Sequence, residues 1–166
     1  MKELLEGRRL GFAPRSHLAF VAIGLGLAVT LIDLMAWFGW GARDTSAYGI
    51  ASQWLVVTLI VVAGTAAITA AVEDADVDPE DRGLARIDQF AAVGVLMLYS
   101  ISGILRSFEL GQAAPSPAPF LLAIAGLVLL IADAGLAANL YSTREWEELE
   151  DEPVHERHAR RRVAGR

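Results

Sequence analysis

There is no cysteine anywhere in the 166 residues. That absence excludes disulfides, thiolate catalysis and cysteine-ligated zinc or iron–sulfur centres. Charge is also scarce, at 20% of residues, and it is bunched. No charged side chain occurs between Asp44 and Glu73, or between Glu109 and Asp133. A helix needs roughly 20 apolar residues to cross a bilayer, and each gap is long enough to supply them. Histidine is nearly missing: His17 stands beside the apolar part of the chain, while His155 and His158 lie in a polar tail. Hydrophobic residues are abundant, at 54%, and the mean hydropathy is +0.42. These proportions exclude a soluble enzyme, a disordered protein and a nucleic-acid-binding domain.

Four apolar segments follow one another, at about residues 18–40, 48–72, 89–107 and 119–141. The first is broken only by Asp33 and ends in Trp37 and Trp40, too long for the core of a secretory signal. Gly39, Gly41 and residues 43–46 form a turn, residues 73–88 an acidic loop, and residues 111–119 a turn rich in Pro, Ala and Ser. Residues 1–16 form a basic lead, and residues 143–166 a charged tail, acidic then basic, expected to be disordered. Short connections make the helices antiparallel neighbours. The expected fold is therefore all-α: an integral membrane four-helix bundle of up-down topology.

Lys2, Arg8, Arg9, Arg15, Arg82, Arg86 and the tail arginines fall on one side of such a bundle; only Arg43 and Arg106 fall on the other. The positive-inside rule then places both termini in the cytoplasm. Trp37, Trp40, Tyr48, Trp54 and Phe120 gather at the outer interface, while Phe12, Phe90, Tyr141 and Trp146 gather near the inner one.

Two carboxylates interrupt the apolar segments. An ionised Asp at the centre of a spanning helix costs roughly 2.5–3.5 kcal/mol on the mildest scale, so it needs a partner or a water-filled cavity. Counting residues places Asp33 about 8–10 Å below the outer boundary and Asp133 about 20 Å below it, too far apart to pair. Arg106 ends the third segment close enough to reach down to Asp33, with Glu109 as its competitor. Thr65 lies at the depth of Asp133 and is placed to donate to it. Two readings of Asp33, Arg106, Asp133 and Thr65 stay open: polar ties between helices, or the lining of a proton or ion path. His17, Gln89 and Asn139 fall at the inner ends of three segments, as an interface cluster.

Other motifs fail on their chemistry. The i, i+3 pair His155 and His158 lies in the tail and makes a poor metal site. Asp74, Asp76 and Asp78 begin like a calcium loop, but Pro79 stands where Gly is needed and Ala85 where the bidentate Glu belongs. Gly24–Leu25–Gly26 has no strand before it, so it marks close helix packing rather than a dinucleotide site; Gly24 with Ala28, and Ala63, Ala67 and Ala71, form small-residue stripes.

His17, Gly24, Asp33, Gly64, Tyr99, Ser100, Arg106, Gly135, Leu140 and Tyr141, taken with the charged inner loop, resemble a family of bacterial four-helix membrane proteins known as domain of unknown function 2231. The resemblance covers roughly residues 14–142. The chain departs from it where the family opens the third helix with a histidine, since Asp88 and Gln89 stand here, and where a Gly-Gly pair is replaced by Ala137 and Ala138. The resemblance implies a redox setting, because relatives are sometimes joined to Rieske-type domains. A haem held by two histidines lacks its second ligand near the membrane.

With no nucleophile–base pair, metal cluster or phosphate loop, the expected function is non-enzymatic. The chain reads as an accessory or interaction subunit of a bacterial membrane complex, multi-pass in the inner membrane, with no cofactor, no metal and no nucleic acid. Its partners would be the lipid bilayer and either further copies of itself or other membrane subunits. The alternatives are a small transporter or channel with Asp33, Asp133 and Arg106 on the path, and a membrane partner of a redox system.

Overall fold

The computed structural model describes residues 14–41, 46–74 and 82–151. Four helices account for nearly all of them: α1 (Pro14–Phe38), α2 (Ser46–Asp74), α3 (Arg82–Ser107) and α4 (Pro117–Asp151). No strand occurs among the described residues. Each helix contains a stretch long and apolar enough to cross a membrane: His17–Phe38, Ser46–Val72, Ala85–Ser107 and Pro117–Leu136. The chain divides into two units, Met1–Ala134 and Gly135–Arg166. The first contains the packed helices, and the second is helical as far as Asp151.

The helix ends follow from local chemistry. Pro14 opens α1, where a missing N–H costs nothing. At the other end Gly39 takes φ +63°, its N–H donates to Ala36 O (3.4 Å), and Trp40 N–H donates to Met35 O (3.0 Å). This paired closure of the last carbonyls is a Schellman cap, which a residue without Cβ adopts most readily. Pro117 and Pro119 both sit in the first turn of α4, where their rings obstruct no hydrogen bond.

Two helices run several residues beyond the segments expected from the sequence. The acidic loop expected over residues 73–88 is helical from Arg82, where Ala85 and Asp88 turn inward at i, i+3 spacing. Residues 143–151, expected to be disordered, continue α4, and their run of Glu with Leu favours helix. Hydropathy marks where a helix leaves the bilayer, not where its backbone hydrogen bonds stop. The remaining tail, with His155 and His158, and the loop residues Asp76 and Asp78 lie outside the described residues.

Inside the first unit the contact surface is made of small and medium side chains: Ala22, Val29, Val56, Leu59, Val95 and Ala123, around Tyr99. The large apolar side chains point outward, Phe20, Trp54, Phe90 and Phe108 among them. That is the arrangement suited to lipid, where burying hydrocarbon against hydrocarbon gains little and close backbone approach gains dispersion. The closest approach is at mid-bundle. A Cβ on Gly26 would lie 2.7 Å from the Tyr99 hydroxyl, 3.1 Å from Leu127 and 3.6 Å from Leu59, so α1 meets the other three helices there. A Cβ on Gly126 would lie 2.7 Å from the Tyr99 ring. The Tyr99 ring therefore fills a slot between two glycines. Gly24, the residue expected to pack, is exposed, with no described atom within 4 Å of its Cβ position. The close-packing glycine of the Gly24–Leu25–Gly26 run is Gly26, two residues on and on nearly the opposite face of the helix.

Candidate functional site

The end of α1, the start of α2, the end of α3 and the start of α4 meet at one end of the bundle. Asp33 lies on the inward stripe of α1 with Ala22, Val29 and Ala36. Ser52 lies on that of α2 with Val56, Leu59 and Ala63, and Ser102 and Arg106 lie on that of α3 with Val95 and Tyr99. Helical periodicity thus aims four polar groups at one point.

Arg106 is buried, and so is Asp33. The guanidinium meets the carboxylate in bidentate fashion, Nη1 donating to Oδ1 (2.8 Å) and Nη2 to Oδ2 (2.5 Å). Its second Nη1 proton goes to Ser52 Oγ (2.9 Å), its Nε proton to Ser102 Oγ (3.1 Å), and the remaining Nη2 proton to Pro119 O (3.5 Å). A guanidinium has five N–H donors, and all five are used here. The acceptors are themselves held: Ser102 Oγ donates to Pro119 O (2.8 Å) and Ser52 Oγ to Gly49 O (3.2 Å). One cation thereby ties all four helices. Planar, bidentate geometry is what Arg offers and Lys does not.

Residues 108–116 cross above this network. Trp37 Nε1 donates to Pro115 O (2.9 Å), and its ring packs against Phe120 with centroids 5.1 Å apart. Glu109 is not turned to Arg106; its Oε2 accepts from Ser116 N–H (2.9 Å). Gly49 lets the Gln112 carbonyl approach, since a Cβ there would lie 3.2 Å from that oxygen. Beside this crossing is a small cleft, with about 10 Å³ of room for a water centre, lined by Ser52, Arg106, Glu109, Gln112 and neighbours.

The remaining candidates are not among the acceptors of Arg106. Thr65 is exposed and gives its hydroxyl proton to Val61 O (2.8 Å), so that proton is committed within α2 and not to Asp133. Asp133 is half-buried on α4. His17 and Gln89 are both exposed rather than walled into a pocket, and the Asn139 side chain lies outside the described residues. Sequence reading missed Ser52, Ser102 and the Pro119 carbonyl. The signal for Ser102 was its place one turn before Arg106 on the same face; for Ser52 it was an inward stripe that becomes visible only once Val56 and Leu59 are known to be core.

Comparison of the chain with family models, with curated proteins and with solved structures finds no match.

Proposed function

We propose that this chain is a non-enzymatic, multi-pass protein of a bacterial inner membrane that acts as an accessory or interaction subunit of a larger complex. The bundle is read as antiparallel on its short connections, and both termini as cytoplasmic on the distribution of Lys and Arg. One observation carries the functional reading. Every donor of the buried guanidinium is used by the protein's own oxygens, so the costliest group in the membrane has nothing left to offer a substrate. A polar network of this kind fixes one packing of four helices. What such a scaffold presents outward is apolar surface, for lipid, for copies of itself or for other subunits.

Purification of the native assembly in mild detergent tests this. Co-purification of a further membrane subunit is expected; a monomer without partners would refute it. Kinship with the domain-of-unknown-function 2231 family is proposed alongside, and it makes redox complexes the first class of partner to examine, through the visible haem bands of the purified assembly. A second reading, a small channel or transporter, draws on the cleft that touches Arg106 and Ser52. Ion flux through liposomes containing the pure protein would favour it, and impermeable liposomes would dismiss it.

A further inference from the structure

The polar cleft, the segment above it and the ion pair beneath it belong together. Residues 108–116 are held down by a few identifiable contacts. Trp37 Nε1–H donates to Pro115 O across to α1, Glu109 Oε2 accepts from Ser116 N–H within the segment, and Gln112 lies close over Gly49 on α2. Gly111, at φ +91°, supplies the left-handed turn that lets the chain double back. Beneath lie Ser52 and Arg106, which line the cleft together with Glu109 and Gln112. The room in the cleft, about 10 Å³, is that of a single water.

We propose that residues 108–116 form a strap that controls access of water to the Asp33–Arg106 pair, with Glu109 as the second partner that Arg106 takes when the strap lifts. In the closed arrangement Glu109 satisfies Ser116 N–H, and Asp33 is the carboxylate that holds the guanidinium. Lifting the strap breaks the Trp37–Pro115 and Glu109–Ser116 bonds and widens the cleft. It also frees a carboxylate within one helical turn of Arg106, since Glu109 N–H remains bonded to Arg106 O (2.9 Å). Water and Glu109 then share the cation with Asp33, which keeps the lifted state within reach. The bundle thus has a device at one end for wetting its buried charges without pulling its helices apart. The inference is independent of whether the protein has partner subunits.

Two substitutions should act in opposite directions. Trp37→Phe keeps the ring beside Phe120 and deletes the bond to Pro115. Glu109→Gln keeps an acceptor for Ser116 N–H but removes the charge that stabilises the lifted state. The chain has no cysteine, so Ser52→Cys gives a single thiol at the floor of the cleft. Its labelling by a small hydrophilic methanethiosulfonate in nanodiscs reads water access. Independently, hydrogen–deuterium exchange of the peptide spanning 109–116, in the protein without the cysteine, reads strap opening. Loss of one hydrogen bond predicts labelling and exchange about five- to tenfold faster in Trp37→Phe. In Glu109→Gln both should be slower than in the parent protein. Unchanged rates in Trp37→Phe by both methods, or faster rates in Glu109→Gln, would overturn the proposal.

Discussion

Asp33→Asn and Arg106→Gln, alone and together, give the sharpest test of what the buried network contributes. The structure predicts unequal single costs. Asp33→Asn deprives Arg106 of its counter-charge, yet three of its N–H groups keep Ser52 Oγ, Ser102 Oγ and Pro119 O. Arg106→Gln leaves the Asp33 carboxylate with neither of its hydrogen-bond donors, and both were on Arg106. Breaking a buried pair by removing one member costs about 3–5 kcal/mol. The Asp33 variant should fall near 3 and the Arg106 variant near 5 kcal/mol within that span. The double variant strands no charge, so it should be less destabilised than the sum by at least about 2 kcal/mol. Ser52 and Ser102 cushion it further, because their hydroxyls keep Gly49 O and Pro119 O. Reversible unfolding in mixed micelles, followed by helical circular dichroism, supplies the four free energies. Additivity to within about 0.5 kcal/mol would mean the two side chains do not interact and would sink the reasoning.

Two further outcomes follow from the geometry, and a third from the orientation proposed on the distribution of Lys and Arg. Gly126→Ala pushes a Cβ to 2.7 Å from the Tyr99 ring and should cost about 1–3 kcal/mol, whereas Gly24→Ala meets open space and should be neutral or slightly stabilising; equal effects in the same unfolding assay would contradict the packing. Tyr99→Phe removes a buried hydroxyl that has no hydrogen-bond partner among the described residues, so stability should hold or rise by up to about 1 kcal/mol, and a clear loss would mean the hydroxyl is bonded after all. Single cysteines at Ser46 and Ser116 should react with an impermeant reagent applied to intact cells, and reaction only from the cytoplasmic side would reverse the orientation.

The spanning helices were legible because charge is expensive in hydrocarbon. The gaps between Asp44 and Glu73 and between Glu109 and Asp133 have few readings other than bilayer crossing. The same cost made Asp33 and Arg106 conspicuous, and depth counting put Asp33 within reach of the long Arg106 side chain. It failed for helix ends, because Arg82 and Glu150 are good helix residues and poor membrane residues. Small residues were ambiguous for a different reason. Gly24 and Gly26 are two positions apart, so they lie on nearly opposite faces, and only the partner helices decide which one is squeezed.

Ser52 and Ser102 show where single-sequence reading stops. A serine inside a membrane helix usually bonds a carbonyl of its own helix, as Ser52 does with Gly49 O, and nothing in its neighbours says that its lone pairs also serve a cation. That second use depends on α2 presenting the Ser52–Val56–Leu59 stripe to the end of α3, a tertiary fact. Once the stripe is known, the serines become necessary. A guanidinium whose carboxylate takes two of its five protons leaves three unmet, and in a low-dielectric interior each unmet donor costs about 1–3 kcal/mol. The two hydroxyls and the Pro119 carbonyl are what make Arg106 tolerable at that depth, and Asp33 alone would not have been enough.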